Sequence, residues 1–240
     1  MKKTVQERYE IFSKPIPKEI DSITLKVVRK NGLWNKVYPI IELQDLSGEN
    51  FLLNSKKMFK NKTTNFHISA SPNQYSKDDE GYCGKIRRRG KAYTLYDNKT
   101  DNDSLSEIAL IKYEKSKDNP TSTRAFSLDL SENLIEDASP KEETKYDQLE
   151  EELACNIFSF KNVDPYFDED NKCYLIDFTQ HTSFINSSKN YQVKWKGKDQ
   201  LVVEQVKTNK NEYELRFRWP FSILTAFALS VSMFDPKMEI

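Results

Sequence analysis

Along most of the chain, apolar and polar residues alternate in short runs divided by turn residues. Ile23, Leu25 and Val27 take turns with polar partners, as a half-buried strand requires. Asn31-Gly32 signals a turn, residues 38–43 (YPIIEL) read as the next strand, and Ser47-Gly48 turns into Phe51, Leu52 and Leu53. A basic loop, NSKKMFKNK, is expected next. Then comes a strand over 65–70, with Phe66, Ile68 and Ala70 on one face and Asn65, His67 and Ser69 on the other. The same rhythm predicts strands at 82–88, 92–96, 108–113, 126–130, 174–178, 190–195, 201–207 and 213–217. The last two form a hairpin around TNKNE. Residues 1–20, with Pro15 and Pro17, read as a polar lead-in. Residues 129–152 read as an acidic surface insertion, with a short helix in YDQLEEELACNIF.

The alternation ends at the C-terminal stretch. Residues 219–234 carry no charge, in a protein with 31% charged residues. Pro220 suits the first position of a helix, and Asp235-Pro236 stops one. Leu224, Phe227, Ala228 and Val231 occupy one side, while Phe221, Ile223, Leu229, Met233 and Phe234 cover much of the rest. Such a helix must be enclosed. Its sixteen uncharged residues fall short of the roughly 20 that span a bilayer, and Ser222, Thr225, Ser230 and Ser232 lower its hydropathy. A protein interior is therefore the expected surrounding. About a dozen short strands without a βαβ rhythm predict an all-β barrel or sandwich. The economical architecture is one closed barrel over 21–240 threaded by the helix at 219–234, which also removes exposed sheet edges.

Composition changes this picture little. Hydrophobic residues make up 37% and aromatic residues 12%, enough for a substantial core. Net charge is zero but unevenly spread: residues 51–100 hold eleven Lys/Arg against four Asp/Glu, whereas 129–170 hold three against fourteen. The first excess could attract an anion; the second reads as a solvated loop. Cys83, Cys155 and Cys173 are odd in number and scattered, which fits a reducing compartment better than a disulfide framework or zinc site. The start MKKTVQERYEIF has no apolar signal region, Lys2 excludes myristoylation, and the ending MEI has no prenylation cysteine. A cytosolic protein with reversible membrane contact is the expectation.

The strongest chemical candidate is the run from Gly84 to Gly90 (GKIRRRG). On a strand, Lys85, Arg87 and Arg89 project to one face and Ile86 to the other. Cations on a rigid face can hold a multiply charged anion, Arg as a bidentate fork and Lys as a point charge; the alternative is a solvated edge strand. Asn65 and Arg124 are unremarkable by themselves. Lys56, Lys57, Lys60 and Lys62, with Met58 and Phe59 among them, read as a solvated loop or a contact with an anionic membrane. His67 and His181, the only histidines, sit in no metal or nucleophile pattern, and no Gly-rich phosphate loop occurs. The pairs Asp78-Asp79 and Asp168-Asp170 lie in polar loops. No catalysis, metal or cofactor is expected. Zero net charge and the small basic footprint weigh against nucleic-acid binding through Arg87–Arg89. A scaffold role for the acidic insertion stays open.

The segments VYPIIELQD, NKTTNFHISASP, GYCGKIRRRGKAYTLYDN, PYFDEDNKCYLIDF, SSKNYQV and WPFSILTAFALSVSMFDPK, in that order, resemble the tubby C-terminal domain over nearly the whole chain from Ile23. The resemblance implies a twelve-stranded antiparallel β-barrel around a hydrophobic C-terminal α-helix. It also implies a non-enzymatic module that binds phosphoinositides, above all phosphatidylinositol 4,5-bisphosphate. Lys85 and Arg87 match the family's basic pair, Asn65 its asparagine, and Arg124 its later arginine. The first two would grip the phosphates, Asn65 would hydrogen-bond a phosphate or hydroxyl, and Arg124 would close the charge cage. Lys56, Lys57, Lys60 and Arg89 would be accessory membrane contacts. The implied setting is a monomer with an unidentified protein cargo at the inner face of the plasma membrane, with ciliary membrane or nucleus as alternatives. This sequence departs from the family at Phe178-Thr179-Gln180-His181, where an F-x-G-R segment is usual. Arg88 and Arg89 make its binding strand more basic, which would loosen head-group selectivity. Its short lead-in carries no F-box or adaptor helix, so roles that depend on such extensions do not follow.

Overall fold

The computed structural model describes residues 4–30, 40–58, 64–98, 107–115, 124–131, 157–178 and 183–235. Twelve strands close a barrel in which each pairs antiparallel with its neighbours. They are β1 (Ile23–Lys30), β2 (Ile40–Gln44), β3 (Phe51–Met58), β4 (Asn65–Ser69), β5 (Tyr82–Arg89), β6 (Ala92–Asp97), β7 (Glu107–Lys115), β8 (Arg124–Ser131), β9 (Ile157–Asn162), β12 (Tyr191–Trp195), β13 (Leu201–Asn209) and β14 (Glu212–Phe217). The order runs β1 to β9 with each strand beside its successor, then β12, β13 and β14, with β14 returning to β1. A separate pair, β10 (Tyr166–Asp168) and β11 (Cys173–Leu175), stands off the barrel.

The apolar C-terminal segment threads this barrel as α2 (Ile223–Met233). Twelve strands leave an interior wider than side chains alone can fill. The helix fills it: Leu224, Ala226, Phe227, Leu229 and Val231 are buried against inward residues such as Leu43, Ile86, Leu95 and Leu215. The helix begins three residues after Pro220, with Ser222 as N-cap in a reciprocal capping box with Thr225. Ser230 donates to Gln205 Oε1 at 2.6 Å and Ser232 to the Leu229 carbonyl at 2.7 Å. The hydroxyls that lowered its hydropathy are thus hydrogen-bonded inside protein. Among the described residues, no helix is long and apolar enough to cross a membrane.

Three local expectations need correction. The lead-in contains α1 (Val5–Ser13), started by a capping box between Thr4 and Glu7. Tyr9 and Phe12 of α1, with Ile16 beyond it, join the main core at the end where α2 begins. Second, β3 continues through Met58, so Asn54 to Lys57 are strand residues and not loop. Third, Ile157 and Phe158, assigned to a helix at the end of the acidic insertion, open β9. The insertion from 132 onward lies outside the described residues.

The polarity of the barrel follows from these strands. One end carries the start of α2 and is covered by α1. The other carries the end of α2 with the starts of β4, β6, β8, β12 and β14 and the ends of β3, β5, β7, β9 and β13. We call this second end the distal mouth. Asp235, just past α2, is fully buried there. Lys57 Nζ meets its Oδ1 at 3.3 Å, Arg88 Nη1 its Oδ2 at 3.4 Å, and the Tyr93 hydroxyl donates to Oδ2 at 2.8 Å. Two cations at a helix C-terminus also complement its dipole.

Candidate functional site: a basic face beside the distal mouth

Residues directly opposite on paired strands share a face, so the strand register assembles the site. Asn65 faces Arg87, and His67 faces Lys85. Next along β3, Lys56 stands opposite His67 and Met58 opposite Asn65. On the far side, Tyr96 stands opposite Lys85 and Thr94 opposite Arg87. Gly84 keeps the ladder tight just before Lys85: its φ is 149°, and a Cβ there would collide with the Tyr96 carbonyl.

On this grid Lys85 lies over the Tyr96 ring, 5.2 Å from its centroid, and Lys56 over Tyr75 at 5.4 Å. Burial pushes the Lys85 pKa below its ordinary value, and the like charges of Lys77 and Arg87 push it further. Glu107, the carboxylate beyond Tyr96, accepts the Tyr96 hydroxyl at 2.8 Å. Asn65 is only 8% exposed, and its Oδ1 finds no hydrogen-bond partner among the described residues; nor does the buried Nε of Arg87. A donor and an acceptor thus remain unsatisfied on adjacent strands where cations crowd. This arrangement favours an anion that also carries hydroxyls, because an unmade buried hydrogen bond costs about 1–3 kcal/mol.

His67 is buried within the same face. Its Nδ1 lies 2.6 Å from the Tyr75 carbonyl, and its ring packs edge-on against Tyr82. Burial is the main cause lowering its pKa below 6.5, with Lys77 and Lys85 adding to it and the Tyr75 bond opposing. The unfolded chain therefore binds this proton more readily than the folded one. Stability should be undiminished above pH about 6.5 and decline below it, levelling off under the folded value. Melting temperatures across pH 5–8 check this, and a His67→Leu variant should show a flatter slope in that window.

The sequence-predicted residues divide accordingly. Lys85, Arg87 and Asn65 are brought together, with Lys56 beside them and exposed Arg89 at the strand's end. Arg124 opens β8 at the same end of the barrel, three strands from β5, or roughly 14 Å at ordinary strand spacing. Lys57 points inward to Asp235 and is 7% exposed, so it is no membrane contact. Arg88 likewise turns from the binding face toward Asp235, and the extra basicity expected of it there is not on that surface. Lys60 and the segment 179–182 lie outside the described residues. Lys77, on the loop between β4 and β5, was missed because loop conformation alone brings it to Lys85.

With this geometry in view, comparison with known proteins is informative. A model of the Tub family matches residues 12–236. The chain belongs to the Tub family. The match takes in Phe12 and so includes part of α1. Among curated relatives, this Tub-family chain is similar to Protein king tubby of Drosophila sechellia and of Drosophila melanogaster, each 26% identical over 226 residues. That of Drosophila grimshawi is 27% identical over the same length. Each alignment covers 87% of this chain and 51%, 49% and 50% of the respective relative. The chain thus spans about half the length of the curated relatives it matches.

Proposed function

We propose that this chain is a phosphoinositide-binding peripheral membrane module that recognises phosphatidylinositol 4,5-bisphosphate and tethers a protein cargo reversibly. Lys85 and Arg87 grip the ring phosphates, Asn65 bonds a phosphate oxygen or ring hydroxyl, and Arg124 completes the cage from β8. Lys56 and Arg89 add electrostatic attraction to an anionic leaflet, about 1 kcal/mol per basic residue near the surface. Membership of a family whose domain is generally a phosphoinositide-binding module supports this reading. The observation that carries it is the placing of partly buried Lys85, Arg87 and Asn65 on one face of adjacent strands β4 and β5, with Arg87 directly opposite Asn65. Head-group hydrolysis removes the charge that this site reads, so the tether releases. Holding to that lipid would place the protein at the inner face of the plasma membrane as a monomer.

Liposome co-sedimentation at physiological salt tests it. Vesicles with phosphatidylinositol 4,5-bisphosphate should bind the protein, and charge-matched phosphatidylserine vesicles should bind it far less. Lys85→Ala/Arg87→Ala removes two charge-assisted contacts worth roughly 1.5–3 kcal/mol each, so affinity should fall at least about a hundredfold. Equal binding to both vesicles, or no loss in the double variant, would sink the proposal.

A further inference from the structure

Between β9 and β12 the chain leaves the barrel and carries the β10–β11 hairpin as a flap. Two hydrogen bonds tie it down. Gln192 Nε2 on β12 donates to the Asp177 carbonyl at 2.9 Å, and Ile185 N–H donates to the Lys207 carbonyl on β13 at 2.8 Å.

Beneath the flap is a half-open cavity of about 590 Å³, within the range of roughly 300–1,000 Å³ usual for small-molecule sites. Phe167, Phe178 and Phe184 line it from the flap, and Tyr191 and Met233 line it from β12 and α2. Phe178 and Phe184 meet edge to face, with ring centroids 5.0 Å apart. Phe167 and Phe184 stay 41% and 36% exposed, so apolar surface is left open at this cavity.

The polar groups of the wall decide what fits. Among the described residues that line the cavity, Lys172 alone is charged. Its Nζ is already 2.9 Å from the Glu169 carboxylate, which lies outside that lining. An ionised ligand would therefore exchange water for an apolar wall with no free counter-charge. Two amides of the wall are occupied by backbone. Asn162 accepts from Phe126 N–H at 2.8 Å and donates to the Val163 carbonyl at 3.2 Å. Asn190 accepts from Lys207 N–H at 2.8 Å and donates to the Ile185 carbonyl at 2.9 Å. Tyr191 differs. It is only 2% exposed, and its hydroxyl has no hydrogen-bond partner among the described residues. Burial, with Tyr113 adding to it, raises its pKa well above the ordinary value, so the hydroxyl keeps its proton.

We infer that this cavity binds an uncharged, largely apolar small molecule that carries one hydroxyl or carbonyl group. The apolar body lies against Phe167, Phe178 and Phe184, and the oxygen pairs with the Tyr191 hydroxyl. A peptide segment fits less well, because each of its residues brings an N–H and a C=O that need partners. The site lies four strands from Lys85 and does not depend on phosphoinositide binding.

Fluorescence titration of the full chain with three probes tests this. Pyrenemethanol is neutral and carries a hydroxyl, pyrene has no polar group, and pyrenecarboxylate is charged. Pyrenemethanol should bind saturably and most tightly, and pyrenecarboxylate most weakly. Tyr191→Phe removes only the hydroxyl, so its melting temperature should hold or rise as a stranded polar group is lost. That variant should bind pyrenemethanol roughly fivefold more weakly, as expected for one neutral hydrogen bond, and pyrene as before. Phe167→Ser/Phe184→Ser, at partly exposed positions, should weaken both neutral probes roughly tenfold. The proposal fails if no probe saturates, if pyrenecarboxylate binds best, or if the aromatic pair has no effect. It fails equally if Tyr191→Phe still prefers the alcohol over pyrene. A melting temperature lowered by Tyr191→Phe would mean that the hydroxyl already has a structural role, and would also overturn it.

Discussion

An Ala226→Asp variant should yield no soluble, cooperatively folded protein. Ala226 is fully buried in the middle of α2, with barrel wall on every side. A carboxylate there has neither water nor a cation, and an unpaired buried charge costs several kcal/mol. Native stability itself is only about 5–15 kcal/mol. The variant must also crowd a packed helix–wall contact. Soluble expression and a thermal melt decide the matter: a soluble variant melting like wild type would mean that α2 does not occupy the barrel.

The second large effect is expected at Asp235. Asp235→Ala removes the buried carboxylate that Lys57, Arg88 and Tyr93 share and so takes away the Lys57–Asp235 ion pair. Breaking one side of a buried ion pair costs roughly 3–5 kcal/mol, and the melting temperature of a chain this size should fall by about 10 °C. The Lys57→Met/Asp235→Leu double variant should recover a large part of the loss, because it removes the buried lysine together with the carboxylate, leaving only the more exposed Arg88 to reach water. A melt within about 1 °C of wild type for Asp235→Ala would show that the cluster contributes nothing to stability. Burial and the neighbouring Asp235 hold the Tyr93 phenol far above its ordinary pKa, so its donor stays in place at any physiological pH.

These two experiments touch the parts of the fold that were most legible beforehand. Period-two alternation placed eleven of the twelve barrel strands and missed β9, and an uncharged run too apolar for a surface demanded an enclosure. What alternation could not show was where a side chain's partner lies. Lys57 and Arg88 look like surface charges because Asp235, which both meet, is 178 and 147 residues away in sequence. Met58 closes a strand inside what composition marks as a basic loop. For α1 a signal did exist: Thr4 and Glu7 have capping-box spacing, and Val5, Tyr9 and Phe12 recur at helical intervals. Charge-rich surroundings and two nearby prolines masked it. The site was readable where parity governs it, at Lys85, Arg87 and Asn65. Lys77 and the flap cavity depend on loop paths, which no period encodes.

The position of α2 in the chain also has a consequence for synthesis. Every strand of the barrel emerges from the ribosome before the segment that fills it. At about 5–20 residues per second, β1 waits on the order of ten seconds or more for its interior to arrive. Until then the nascent chain has a wall without contents, and its inward apolar side chains have only one another or a chaperone to cover them. The Asp235 carboxylate completes that sequence: it reaches Lys57 and Arg88 only after the helix has been drawn through. A premature stop just after β14 therefore leaves more than a shortened protein. It leaves all the barrel strands committed to a cavity with nothing to put in it.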